Sequence, residues 1–290
     1  MTIRTATAPD AWGVWYASDP KQTPWERYLD EVAASGYSWT ELGPWGYLPT
    51  DPAQLQDALS SRGLGLCGAA VVHPLTAPDA LETLRDRLRP LCRTLVATNT
   101  PWLLLMDDSD VYLTPEARIT TPEIWKRMMH VITTVAREIR HEHGLHLLFH
   151  PHVGTAVETE AEILRLLNDT PADQVELCFD FGHHAYTGAD ALAFMRQHAS
   201  RIPYYHFKNL DGAIHARAMA AGTPFMEVFQ NGVMCELDKG ILDFTEVVDF
   251  LRKQDFDGFV VVEQDMYPCP PDKPLPIARH NRDVLKRLGL

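Results

Sequence analysis

The chain alternates between short runs of nearly continuous apolar residues and longer stretches in which apolar residues recur at helical spacing. The runs AWGVWYAS, YSWTELG, LGLCGAAVV, PWLLLMDD, LHLLFH, VELCFDF, IPYYHFK and GFVVVEQD predict eight strands. Continuous apolar strands suit a parallel sheet covered on both faces, because a sheet with one wet face alternates instead.

Helix punctuation fills the gaps. Thr23 is expected to cap a helix with Pro24 at its first position and Glu26 completing a capping box, and Gly36 to end it. Asp51 and Pro52 open the next helix and Gly63 stops it. Further helices are expected from about Pro78 to Val96, from Thr121-Pro122 to Gly144, and after Thr159 and Glu162, which have capping-box spacing. ADALAFMRQHAS, an insertion around Ala213 to Phe229, and a helix opened by Asp243 and Glu246 complete the series. About eight strand–helix units predict an α/β fold, a TIM (β/α)8 barrel. No GxGxxG or GxxxxGK[ST] opens a helix, which disfavours the doubly wound alternative. The expected organisation is one barrel domain over residues 1–290, with a C-terminal helical tail at about 268–290.

A net charge of -13 and no Lys/Arg cluster argue against nucleic acid as a partner. No apolar run approaches the roughly 18 residues that span a bilayer, and MTIRTATAPD lacks a signal core, so a cytoplasmic protein is expected. Cysteines 67, 92, 178, 235 and 269 form no CxxC pair and read as reduced thiols.

In a barrel of this type chemistry gathers where strand C-termini meet the following loops. The fifth strand ends at His150 and His152, the sixth at Asp180 and His183, the seventh at His206 and Lys208, the eighth at Glu263 and Asp265, and the second at Glu41. Any one of these is explained by ordinary hydrogen bonding; four consecutive strands ending in His, Asp or Glu are not. Such a mixture suits a divalent metal, and the histidines favour the softer choices. Strand alternation puts Lys208 on the same side as His206. Glu41 reads equally as a base or a paired rim residue. Trp12, Trp15, Trp45 and Trp102 lie near proposed strand ends, where an indole packs on a sugar ring or on the core.

The strings WGVWYASDPKQTPWERYLDEVAASGY, ELGPWGYLPTDP, HPHVGTAVETEAEI, DFGHHAYTGAD, HFKNLD and VVVEQD resemble the inosose dehydratase family, a branch of the xylose-isomerase-like sugar isomerase/epimerase barrels. The likeness runs from about Trp12 to the C-terminal helix. It implies a metal-dependent barrel acting on a polyol ketone or keto sugar. Carried onto this chain, the wider group's ligands fall on Asp180, His206 and Glu263. Its fifth-strand glutamate has no direct match, because HPH stands there. His152, His150 or Glu158 is left as the fourth ligand, with Glu158 the expected carboxylate and His152 the alternative. Mn2+ or Co2+ is the expected ion, with Mg2+ or Zn2+ next. HFKN at 206–209 and ELDKG at 236–240 depart from the HLKD and LGxG of inosose dehydratases. Dimers or tetramers are common among similar barrels, which makes a homodimer or homotetramer the expected assembly.

The reaction so implied is dehydration of a keto-inositol. A base removes the proton beside the ketone, and an acid helps a β-hydroxyl leave as water. Glu158, His152, His183 and Lys208 are the catalytic candidates. Glu41, His150, Trp15 and Trp102 are the candidate substrate contacts. Reprotonation of the same enolate gives an epimerase or isomerase, and a barrel that only binds sugar is the non-catalytic rival.

Overall fold

A computed structural model describes residues 2–108 and 121–290. Ten strands are present among them: β1 (Ile3–Thr7), β2 (Trp39–Glu41), β3 (Gly65–His73), β4 (Trp102–Asp107), β5 (His146–Phe149), β6 (Val175–Asp180), β7 (Tyr204–Phe207), β8 (Asn209–Leu210), β9 (Met234–Cys235) and β10 (Gly258–Val262). Eight of them, β1 to β7 and β10, close into a barrel. Its neighbours pair in parallel throughout, as in the register of Asp180 with His206 and of Val262 with Phe207. β8 and β9 form a separate antiparallel ribbon. The expected (β/α)8 barrel is the observed fold.

The helices are α1 (Trp25–Ser35), α2 (Pro52–Ser60), α3 (Ala80–Ala97), α4 (Pro122–His143), α5 (Glu160–Asp169), α6 (Phe181–Tyr186), α7 (Ala191–His198), α8 (Gly212–Ala221), α9 (Phe225–Gln230), α10 (Phe244–Lys253) and α11 (Pro274–Arg287). Several boundaries follow from chemistry visible in the sequence. Asp51 accepts from the Gln54 amide at 2.9 Å with Pro52 just inside α2, and Thr159 and Glu162 form a reciprocal capping box on α5. Gly36 and Gly144 end α1 and α4 in the left-handed conformation that a side chain disfavours.

Two local expectations are overturned. AWGVWYAS is not a strand: the first strand is the more polar IRTAT, and AWGVWYAS forms a 3-10 turn and loop above it. β1 and the residue after it turn only small Ala6 and Ala8 into the barrel, so the strand lacks the apolar bulk by which the others are recognised. Thr23 does not cap α1, whose N-cap is Pro24; its hydroxyl donates to the Trp12 carbonyl at 3.1 Å.

Side-chain alternation sorts the core into two layers. Ala6, Cys67, Leu104, Leu148, Cys178, Tyr204, Phe259 and Val261 fill the barrel interior. Their strand neighbours, among them Leu103, Leu147, Phe179, Tyr205, Val260 and Val262, pack outward against the helices. A third apolar cluster, built from Val153, Tyr186, Leu210, Phe229, Val233 and Met234 with Trp15 and Phe225 against it, joins loops beside the C-terminal mouth. No helix among the described residues is long and apolar enough to cross a membrane. The five cysteines are unpaired.

Candidate active site

The inward alternation of each strand continues past its last paired residue, and above the apolar plug it turns polar. Leu148 is followed on the same face by His150, Cys178 by Asp180, Tyr204 by His206 and then Lys208, and Val261 by Glu263. One ligand atom each from His150, Asp180, His206 and Glu263 lies within 4.8 Å of the others, and all four residues are buried. Sequence reasoning singled out three of these as metal ligands and named His150 both as a substrate contact and, beside His152 and Glu158, as an option for the fourth ligand. Neither Glu158 nor His152 belongs to this four-donor group. The Glu158 carboxylate turns back to accept from the Gly154 amide at 2.8 Å, across the loop that carries it.

Asp180 divides its labour. One oxygen, Oδ1, accepts from the His183 amide at 2.9 Å and caps α6, while Oδ2 points into the site. Lys208 enters between the carboxylates: Nζ is 3.0 Å from Asp180 Oδ2, 2.9 Å from Glu263 Oε2 and 2.7 Å from Asp265 Oδ2. Gly182 makes room for it, since a Cβ there would lie 2.7 Å from Lys208 Cγ. Burial opposes the ammonium, but the Asp180, Asp265 and Glu263 charges outweigh it and hold its pKa well above normal. Burial likewise opposes the Asp180 carboxylate, and Lys208 and His183 reverse the balance and keep it ionised.

Two imidazoles flank this group with rings 3.8 Å apart between centroids. His152 Nδ1 is 2.8 Å from the Val153 carbonyl, which can only accept, so Nδ1 carries the proton and Nε2 offers a lone pair. Burial, then the neighbouring His150 and Lys208, push its pKa down to about 3, so it is neutral near pH 7. His183 has the opposite tautomer. Its Nε2 accepts from Lys208 Nζ at 3.0 Å, which leaves Nδ1–H as a buried donor without a hydrogen-bond partner. Burial is the largest influence on His183 too and lowers its pKa well below normal.

The donor set fits a divalent cation. Both ring nitrogens of His150, Nδ1 of His206 and Oδ2 of Asp180 are buried and make no aligned hydrogen bond. Mixed imidazole and carboxylate donors at this spacing suit Zn2+, Co2+ or Mn2+.

Glu41, Trp15 and Trp102 stand in different places relative to this group. Glu41 lies beneath it, 2.9 Å from His206 Nε2. Trp15 stands at the rim, stacked on Tyr267 with centroids 5.2 Å apart and packed on Phe229. Trp102 is corrected: it is the first residue of β4, at the opposite end of the barrel, where its ring packs on His146 at 4.9 Å and no substrate at the mouth reaches it. Asp10, which sequence reasoning missed, lies in the 3-10 turn that follows β1. Its pKa is raised by burial and by Glu263 and Asp265. The available signal was a Pro9-Asp10 pair ending a β-prone run, obscured by the misplacement of the first strand.

Comparison with known proteins agrees with this architecture. "Inosose dehydratase 2" of Bacillus cereus is 27% identical over 279 residues, 92% of this chain and 91% of that protein. The crystal structure of the IOLI protein with a binding zinc atom superimposes with a TM-score of 0.73 at 16% identity, covering 99% of both chains. L-ribulose 3-epimerase gives 0.73 at 16% identity, covering 99% of this chain and 94% of its own. At such identities the two structures speak for the fold alone. The model of the xylose isomerase-like TIM barrel family matches residues 29–288, and the chain belongs to that family.

Proposed function

We propose that this barrel is a divalent-metal-dependent hydro-lyase that dehydrates a keto-inositol such as scyllo-inosose, or a closely related keto sugar. The observation that carries the reading is the pairing of opposite imidazole tautomers, His152 with an open lone pair and His183 with an open N–H, beside a buried four-donor group. The relatedness to inosose dehydratases across nine-tenths of the chain supports the substrate class.

His150, Asp180, His206 and Glu263 would hold the ion. When bound, a divalent cation supplies Lewis acidity towards the ketone oxygen and steadies the charge of an enolate. The chain's own groups move the protons. His152 Nε2 takes the proton from the carbon beside the ketone, and that C–H pair becomes the enolate. As the enolate collapses, the C–O bond β to the original carbonyl breaks and His183 Nδ1–H protonates the departing hydroxyl, which leaves as water. Lys208, bonded to His183 Nε2, lets the proton on that ring be replaced from the ammonium side. Trp15 and Tyr267 offer an aromatic wall to the ring of the substrate.

A second reading, epimerisation, draws on the closeness of the two rings: imidazoles 3.8 Å apart serve also as the acceptor and donor for one carbon. Incubating metal-loaded protein with scyllo-inosose separates them. Enone absorbance is expected. Solvent deuterium entering recovered ketone without enone would support the epimerase, and neither change would overturn both.

A further inference from the structure

His206 meets the four-donor group and a different partner at once. Its Nδ1 faces Glu263 Oε2 at 3.0 Å and Asp180 Oδ2 at 3.7 Å. Its Nε2 is 2.9 Å from Glu41 Oε1 on the other side of the barrel interior. Tyr204, two residues earlier on the same strand, donates its hydroxyl to that same oxygen at 2.9 Å. The Tyr204 oxygen also lies 3.2 Å from Cys67 Sγ, so the arrangement is enclosed from below. Glu41 is only 3% exposed and Tyr204 is fully buried.

We propose that Glu41 is a positioning residue for a metal-ligating His206, with Tyr204 as its brace. An ionised carboxylate accepts hydrogen bonds and donates none, so Glu41 selects the tautomer with the proton on Nε2. That tautomer turns the Nδ1 lone pair towards Asp180 and Glu263. With a cation held by the four donors, Nδ1 would have to offer that lone pair, whereas the opposite tautomer would aim a proton at the cation and a lone pair at Glu41. Tyr204 removes the remaining freedom: with two donors on Oε1, the carboxylate cannot swing away from the ring without leaving a buried hydroxyl unsatisfied. Glu41 therefore works beneath the site, in place of the substrate contact expected from its position at a strand end. Outer partners of this kind orient a ligating ring and raise its basicity.

This inference rests on the metal reading of the preceding subsection, and the test keeps the two apart. The full-length protein and its Glu41→Gln and Tyr204→Phe variants are titrated with Zn2+ in competition with a chromophoric chelator at one fixed pH. The Zn2+-loaded proteins are then compared by 15N–1H spectroscopy of the histidine rings. Glu41→Gln is expected to weaken Zn2+ binding roughly 10- to 100-fold, and Tyr204→Phe by a smaller factor in the same direction. The wild type should show a hydrogen-bonded His206 Nε2–H that shifts in Glu41→Gln. Unchanged affinity and an unchanged ring resonance in both variants, with the wild type binding Zn2+, would overturn the positioning role alone. Failure of the wild type to bind Zn2+ would overturn that role together with the metal reading. Tyr204→Phe removes a single oxygen, so it keeps the test decisive should Glu41→Gln fail to fold.

Discussion

Lys208 Nζ and His183 Nε2 lie 3.0 Å apart at the mouth of the barrel, a buried ammonium donating to a buried neutral imidazole. That bond sets the tautomer of the ring proposed as the acid. It also ties the acid to a cation that three carboxylates keep in place.

Lys208→Met should separate catalysis from metal binding. Turnover is expected to fall by roughly 10²–10⁴-fold, the usual contribution of a positioned proton donor. Bound metal, measured by elemental analysis after desalting, should stay near the wild-type level. The metal-free variant should melt lower, because removing one partner from a buried ionic cluster costs about 3–5 kcal/mol. Added metal should restore much of that loss.

Asp180→Asn and Glu263→Gln remove ligand charge and should lower bound metal and activity together. The fourth ligand is tested by contrast. His150→Ala should release metal as those variants do, whereas Glu158→Gln should retain it, because the Glu158 carboxylate is turned to Gly154. Equal metal content in His150→Ala and wild type would return the ligand question to Glu158 or His152.

Asn209 answers what the two departures from the inosose dehydratase pattern do. Its Nδ2 donates to the Leu237 and Leu242 carbonyls at 2.8 and 3.0 Å, and its Oδ1 accepts from the Leu210 and Leu242 amides. Gly240 lies against it, where a Cβ would come within 2.1 Å of Oδ1. HFKN and ELDKG are thus two halves of one loop closure. Asn209→Asp loses both donations and faces carbonyls with charge, so it should destabilise by about 2–4 kcal/mol in urea unfolding while leaving metal content unchanged.

His184 gives a pH signature away from the metal ligands. It is buried against Phe179 and Phe194, and neither ring nitrogen makes an aligned hydrogen bond, although Glu160 Oε2 stands 3.5 Å from Nε2. Burial pushes its pKa down to about 4, against a smaller upward pull from Asp190. A histidine whose pKa falls on folding stabilises the protein fully above its unfolded value near 6.5. That stability is lost as pH drops from there towards 4. The loss approaches about 3 kcal/mol at the lower end. Melting temperatures followed from pH 7 to pH 4.5 should therefore fall less steeply in His184→Phe than in wild type. Parallel curves would show that His184 does not contribute.

Much of this arrangement is legible in the linear chain because one rule governs it. In strands with side chains alternating in and out, a polar residue two places beyond a plug residue must face the mouth, which locates Asp180, His206, Lys208 and Glu263 from spacing alone. Where bulk does not mark a strand the rule has no starting point, and Asp10 escapes notice because Ala6 and Ala8 give β1 no apolar signature. Trp102 shows the complementary failure: an aromatic at a strand end is read equally well at either end, and only the direction of the chain through the barrel decides. His150 was legible as a mouth residue and as one of three options for the fourth donor, but the choice among them was not, since nothing in HPHVGTAVE reveals that Glu158 folds back on its own loop.

Anomalous diffraction from crystals soaked in Co2+ tests the central claim most directly. The account predicts one strong peak within bonding distance of His150, Asp180, His206 and Glu263 together. A peak held by other side chains, or none at this mouth, would contradict it.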